Sequence, residues 1–363
     1  MFGSDVVSIK KIAEMTGASP STVGRVLSNP NHKCSSEEMR ERILQAARDI
    51  NYVPNEAARN LKTGGSSKKE VYCINILLTR MAHEENDPFF SEVVRLVEIE
   101  IRRNSCIILN AWHRTEFSDD RFCLSEDMDA VVNEMFDESK QRSDGLIIIG
   151  KCCPKGLKAL KRREKNIVSI NRNSTNYEVD EVLCDGRKIA ITAIEHLVKL
   201  GHSKIGYVGD CHNETRFAGY QSAVTRFHLE SDIDYIFDTR SNEEHGIKAM
   251  EYFSNLGDPP TAIYCANDIL AIGMLKAMSR RGKRFYAPSV ISSDDIAEAQ
   301  YTKPMLTTIS LPKDEMARFA LMLLLDRISG GHKNISRLEM EGTLIKRESV
   351  RPLHEMNELE YYI

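Results

Sequence analysis

Two rhythms of apolar and polar positions divide the chain. Over the first fifty residues, apolar side chains recur every three or four positions in short stretches, the spacing of small amphipathic helices. Ser8 stands as a cap before a helix over 9–15, with Ile12 and Ala13 on its inner side, and Thr16-Gly17-Ala18 closes it. Ser19-Pro20 reopens a helix, with Ser as the cap and Pro at the first helical position, where its missing N–H costs nothing. Val23, Val26 and Leu27 then face back toward the first helix. After a polar, Pro-broken loop at 29–33, Ser35-x-x-Glu38 reads as a capping box. It opens a third helix with an inner stripe of Met39, Ile43, Ala47 and Ile50. Residues 51–54 interrupt that helix. Residues 55–62 add about two helical turns, too few to be stable in water alone, and 63–67 loosen into a linker.

From Val71 the rhythm changes to continuous apolar runs separated by amphipathic stretches. The runs at 74–78, 106–109, 145–149, 167–170, 204–208, 261–264 and 290–292 read as buried parallel strands. Between them lie helical patterns such as 90–103, 189–200 and 271–281. This doubly wound α/β grammar extends over almost 300 residues, too many for one open sheet, so two lobes with a cleft are expected. The expected fold is an all-α helix-turn-helix head (1–54), a short helix and linker (55–70), and a two-lobed α/β body (71–363). The stretch 112–143 is acidic and longer than a strand–helix link needs.

Charge sharpens this division. The chain of 363 residues carries −4 overall, which by itself argues against nucleic acid. Residues 1–69 carry +4 and the rest −8, a basic head on an acidic body, so the head is the part suited to a polyanion. No apolar run approaches the ~20 residues of a membrane span, and the first residues lack the apolar core of a secretory signal. Nine Cys without zinc spacing read as reduced thiols of a cytoplasmic protein. No metal and no cofactor are expected. No GxSxG, P-loop or dinucleotide fingerprint is present, so catalysis is not expected either; His196 and His202 read as structural.

Two helices joined by a three-residue turn, with a third behind, form the helix-turn-helix arrangement. Its second helix would present Ser21, Thr22 and Arg25 outward. Ser21 and Arg25 share a face, and the Arg25 fork suits a guanine edge. Lys10, Lys11 and Thr22 suit phosphates, which fix register without reading sequence.

The words SIKKIAEMTGASPSTVGRVL (8–27) and SEEMRERILQAARDINYVPNEAARNL (36–61) resemble the head of the LacI/GalR family of bacterial repressors. The resemblance runs on through DPFF (87–90), DGLII (144–148), HLVKLGH (196–202), RFAGY (216–220), PTAI (260–263), AND (266–268) and LTTI (306–309). It implies a homodimer reading a pseudopalindromic stretch of double-stranded DNA, with Pro20, Ser21 and Arg25 at the base-reading positions. Asn55, Ala58, Leu61 and Lys62 would belong to a hinge helix, with Leu61 prying open a base step in the minor groove. Gly24 departs from the Ser usual there.

For the body, the resemblance implies a periplasmic-binding-protein-like clamshell with three crossovers, with lobe 1 at about 71–172 and 309–332 and lobe 2 at about 173–308 and 333–353, and a sugar or phosphosugar effector in the cleft. The family's effector positions fall on Phe89, Phe90, Asn171, Arg172, Arg216, Asn267 and Asp294. An aromatic ring there can cover a sugar's apolar face, and the polar groups can bracket its hydroxyls. Arg172 could instead pair with an acid across the hinge, and Asp268 reads as a helix cap beside the better ligand Asn267. Asn171 departs from the Asp of many relatives. Trp112 reads as packing more readily than as a ligand platform.

Overall fold

The computed structural model describes residues 9–28, 36–50, 71–80, 87–118, 120–137, 142–212, 214–281 and 286–354. Contacts divide the chain into two units, Met1–Glu70 and Val71–Ile363. The first holds α1 (Ile9–Thr16), α2 (Pro20–Ser28) and α3 (Glu37–Asp49). Ile12, Ala13, Val23, Val26, Ile43, Ala46 and Ala47 meet in one buried cluster, joining the inner stripes of all three helices. Gly17, at φ 70°, makes the left-handed turn that ends α1. Ser19 Oγ accepts the Thr22 N–H at 3.2 Å and so caps α2. The third helix is capped one residue later than expected. Ser36 Oγ accepts the Met39 N–H at 3.2 Å, which puts Glu38 out of phase for a capping box. The hinge positions Asn55, Ala58, Leu61 and Lys62 lie outside the described residues, as do Ser8 and the side chain of Lys10.

The second unit contains two six-stranded sheets. One is built from β1 (Cys73–Leu78), β2 (Ile107–His113), β3 (Gly145–Ile149), β4 (Ile167–Asn171), β5 (Asp180–Cys184) and β11 (Arg337–Met340). Its order is β11-β5-β4-β3-β1-β2, and every pairing is parallel. Successive strand residues serve opposite faces. Ile147 and Ile149 join the core that includes α4 (Pro88–Arg103) and α12 (Lys313–Ile328). Leu146 and Ile148 join a second core with α6 (Met128–Asp137) and α7 (Pro154–Arg163). The short α5 (Asp120–Ser125) lies before α6.

The other sheet runs β12-β10-β9-β8-β6-β7. Its strands are β6 (Ile205–Gly209), β7 (Ile236–Asp238), β8 (Ala262–Cys265), β9 (Ser289–Asp294), β10 (Thr307–Ser310) and β12 (Thr343–Ile345). Only β12 is antiparallel to its neighbour. It is flanked by α8 (Gly186–Lys199), α9 (Thr215–Arg226), α10 (Glu243–Ser254) and α11 (Asp268–Arg281).

The chain crosses between the sheets three times: from β5 to α8, from β10 to α12, and from β11 to β12. This corrects the lobe limits read from sequence. Strand β5 pairs with β4, and β11 with β5, so 180–184 and 337–340 belong to the first lobe. Residues 309 and 310 lie in β10 and so belong to the second.

The thiol expectation is also corrected. Cys123 and Cys153 form a disulfide, 30 residues apart in the chain. The sole Trp, the half-buried Trp112, packs on Phe136 with ring centroids 5.1 Å apart, against the second core. His202 is buried, with Nδ1 against Thr261 Oγ1 and Nε2 against the Arg351 carbonyl, both at 2.9 Å. That is a structural role.

Candidate functional site

In the head, α2 turns Val23 and Val26 inward and leaves Ser21 and Arg25 exposed, with Thr22 half-buried. The Ser19 hydroxyl lies 2.9 Å from that of Ser21 and 2.8 Å from that of Thr22. Arg25 Nε donates to the Ser21 carbonyl at 3.3 Å, and the side chain is exposed. A Cβ added at Gly24 would meet nothing within 4 Å.

In the body, the polar residues gather where the carboxyl ends of parallel strands from both sheets face one another, the usual ligand-binding end of such sheets. Asp87 Oδ1 accepts the N–H groups of Phe89 (3.0 Å) and Phe90 (3.3 Å), capping α4 and fixing both rings. The rings meet edge to face at 5.2 Å. Arg172, just beyond β4, lays its guanidinium 4.5 Å from the Phe89 centroid and 5.5 Å from that of Phe90. The same guanidinium bonds to the Asp294 carboxylate at the end of β9. The ring foreseen as a sugar platform is thus covered by the chain's own arginine, which bridges the lobes.

Asp294 and Asp295 sit at φ 129° and 50°, where residues other than glycine are rare. Lys313 holds them there, donating from Nζ to the Asp294 carbonyl at 3.2 Å and the Asp295 carbonyl at 3.0 Å. Lys313 also pairs with Glu92 at 2.7 Å, and Arg347 pairs with Asp295 at 2.7 Å. Burial pushes the Asp294 carboxyl up to about 6 even beside Arg172. The Arg172 guanidinium is pulled down by its own burial and by Arg216.

A second bridge runs from Arg80, just after β1, to Glu214 at 3.1 Å. Glu214 also receives Arg216 Nε at 3.0 Å, while an Arg216 terminal nitrogen donates to the Ala266 carbonyl. Burial alone would raise the Glu214 carboxyl, but Arg216 and Arg80 hold it well below the usual carboxylate range. Glu214 in turn keeps Arg216 charged despite complete burial. Thr215 Oγ1 donates to the Arg172 carbonyl, and Thr215 N–H to Asn173 Oδ1, both at 3.1 Å.

Asn171 and Asn267 are buried at the same strand ends. Asn171 Oδ1 accepts the Arg172 N–H at 2.7 Å. Asn267 Oδ1 accepts the Leu270 N–H at 3.1 Å, making it the cap of α11. Asp268 does not cap. It accepts the hydroxyls of Ser292 and Thr308, each at 2.6 Å, and the Ile296 N–H at 2.9 Å. Burial, with Asp294 adding to it, pushes its carboxyl up to about 7.

All seven body residues singled out from sequence therefore fall around one cleft. Sequence reasoning missed Arg80, Asn173, Glu214, Thr215 and Lys313. Only Glu214, two residues before Arg216, carried a local sign, as the acidic residue that opens α9. Gly150 belongs with them: it has φ 104°, and a Cβ there would lie 2.6 Å from Thr79 Oγ1. Together with Phe89, Phe90, Asn171 and Arg172 it lines a small cavity on the first lobe's side.

Among the described residues no helix is long and apolar enough to cross a membrane. Residues 8–55 match the family described as bacterial regulatory proteins, lacI family. Residues 194–350 match a periplasmic binding protein-like domain. Over 358 residues the chain is 30% identical to the HTH-type transcriptional repressor CytR of Escherichia coli (strain K12), covering 95% of this chain and 97% of that one. The lac repressor dimer bound to operator and the anti-inducer ONPF shares the fold, with TM-score 0.64, 22% identity, and 95% and 99% of the two chains covered. So does the transcriptional regulator CelR in complex with cellobiose, with TM-score 0.64, 20% identity, and 94% and 99% covered. With a helix-turn-helix head, a two-lobed cleft and likeness over nearly the full length of a curated relative, the chain belongs to the LacI family of DNA-binding transcriptional regulators.

Proposed function

We propose that the protein is a cytoplasmic repressor that binds a pseudopalindromic operator as a homodimer and responds to a sugar or phosphosugar in the interlobe cleft. Pro20, Ser21, Thr22 and Arg25 face the major groove, and Lys10 supports them at the phosphates. The segment containing Asn55, Ala58, Leu61 and Lys62 folds on DNA, with Leu61 as the wedge. Phosphate contacts supply most of the salt-dependent affinity and the α2 side chains select the site. CelR is seen with cellobiose and the lac repressor with operator, which supports both halves of the reading.

The observation that carries it is the pair of ion bridges across the cleft, Arg172–Asp294 and Arg80–Glu214. A ligand reaching Phe89, Phe90, Asn171, Arg172, Arg216, Asn267 and Asp294 must exchange with these bridges. Ligand binding and the relation of the lobes are then one equilibrium. Because Arg172 already covers Phe89, a ligand bearing an anionic group for that guanidinium is favoured. An allosteric coupling of about 1–3 kcal/mol would alter operator affinity roughly five- to 150-fold.

The test is a thermal-shift screen of sugars and phosphosugars on the full chain, followed by duplex binding with each hit. The duplexes come from the chain's own genomic neighbourhood. A hit that changes duplex affinity supports the reading. Indifference to every duplex at low ionic strength, with and without ligands, overturns it.

A further inference from the structure

The cysteines hold a feature that neither DNA binding nor effector binding uses. Cys123, in α5, is bonded to Cys153, the residue that caps α7. A regulator that meets bacterial DNA works where thiols are kept reduced, and disulfides there are as a rule transient, catalytic or redox-sensing.

The surroundings make this cross-link consequential. Helix α5 has only six residues. Its large apolar side chains point outward, with Phe122 40% and Leu124 80% exposed, whereas Cys123 is 2% exposed. Among the described side chains of this short helix, Cys123 is the buried one. At the other end, Cys153 stands three residues after Gly150, which lines the cleft cavity, and its N–H donates to the Phe117 carbonyl at 2.7 Å. Phe117, fully buried, packs in the same core as both cysteines. The bond thus staples a short surface helix to the loop that follows Gly150 of the cleft cavity.

We propose that Cys123 and Cys153 form a reversible thiol–disulfide site. The disulfide pins α5 and the 150–153 loop, and reduction by a cytosolic dithiol releases them.

The chemistry has a direction. Cys153 Sγ accepts the Gly156 N–H at 3.2 Å at the amino end of α7, a position that stabilises a thiolate. Cys153 is accordingly the better leaving group. The incoming thiolate attacks Cys123 Sγ, the Cys123–Cys153 bond breaks, and the electron pair leaves on Cys153 Sγ. The second thiol of the reductant then attacks the mixed disulfide. Cys123 is freed, the reductant departs as its own disulfide, and the two cysteines take up its two protons. In the reverse sense a thiol oxidant of the diazenedicarboxamide type accepts the two electrons and two protons. Neighbouring Cys152 is unsuited to compete, because burial pushes its thiol up to about 12.

The test uses the full chain and its single tryptophan, Trp112, which packs against this same core. The folded protein is treated with diamide or with dithiothreitol, then unfolded and alkylated. The oxidised sample should show two fewer free thiols than the nine in the sequence, with a linked 123–153 peptide, and the reduced sample all nine. Trp112 emission should shift reversibly between the two states. Cys123→Ser and Cys153→Ser should abolish the shift, and Cys152→Ser should keep it. Serine at 153 can still cap α7, so that variant retains the helix.

Nine thiols after diamide would overturn the site. A linked peptide that resists dithiothreitol in the folded protein would make the bond a permanent cross-link and overturn reversibility. Unchanged emission despite a reversible bond would overturn the release of α5. None of these readouts involves DNA or effector, so failure here is distinct from failure of the regulatory reading.

Discussion

At Gly24, α2 carries the residue least suited to a helix interior after proline, and nothing around it requires a missing side chain. Replacing Gly24 with Ala should stabilise the head by about 1 kcal/mol, read as slower hydrogen exchange of the 12–27 amides in the full chain. Unchanged or faster exchange would mean that α2 is not limited by this residue.

A titration belongs to the same scale. Asp268 has its carboxyl raised to about 7 in the fold, above the ordinary value near 4. A raised folded value means that the folded state keeps the proton longer. Its contribution to stability is full below about pH 4 and is lost as pH rises through about 7. The body should therefore lose on the order of 4 kcal/mol over that window. Asp268→Asn should flatten the dependence in denaturant titrations, and an equally steep curve in the variant would assign the slope elsewhere. The residues of the cleft were legible by type and family position, but their partners were not. Arg80 and Glu214 stand 134 positions apart, and no local pattern announces such a pairing.

Among elements, the long apolar strands and helices were legible because their cores are made of uninterrupted Ile, Leu and Val. Strand β5 was not. Its sequence DEVLC opens with two carboxylates that are nevertheless buried. Asp180 is satisfied by Arg327, by His332 at 2.8 Å and by the Ser336 N–H at 2.7 Å. Glu181 accepts from the hydroxyls of Ser174 and Thr175, both at 2.8 Å. The charges that disguise the strand also attach it to α12 and β11. Strands β11 and β12, of four and three residues, are too short for a period to register. Asp180→Ala should cost roughly 3 kcal/mol, because it leaves Arg327 without its buried partner. The measurement is the midpoint of chemical unfolding, and a shift below 1 kcal/mol would count against this attachment.

For the molecule as a whole, head and body were legible from the change of rhythm and the split of charge. The closed cleft was not, because its closure depends on side chains contributed by opposite lobes. Asp294→Ala removes one bridge and leaves the Arg172 guanidinium facing a neutral wall. The body should open, seen as an increase in radius of gyration by small-angle scattering, and an unchanged radius would show that Arg80–Glu214 suffices. Arg216→Ala should abolish the effector response while the chain stays folded, and Leu61→Ala should collapse operator binding while effector affinity holds. A normal effector response in the first variant, or intact operator binding in the second, would reassign those roles.

The threefold passage of the chain between the two sheets also governs biosynthesis. Helix α12 and strand β11 complete one lobe, and β12 completes the other, all within the last fifty or so positions. While the nascent polypeptide is on the ribosome, neither half can close its interior until that tail has emerged. A premature stop anywhere upstream of 337 would leave both sheets short of a strand. Truncating alleles of this gene should therefore behave as complete losses, cleared by proteolysis, and not as an unregulated fragment clinging to its operator.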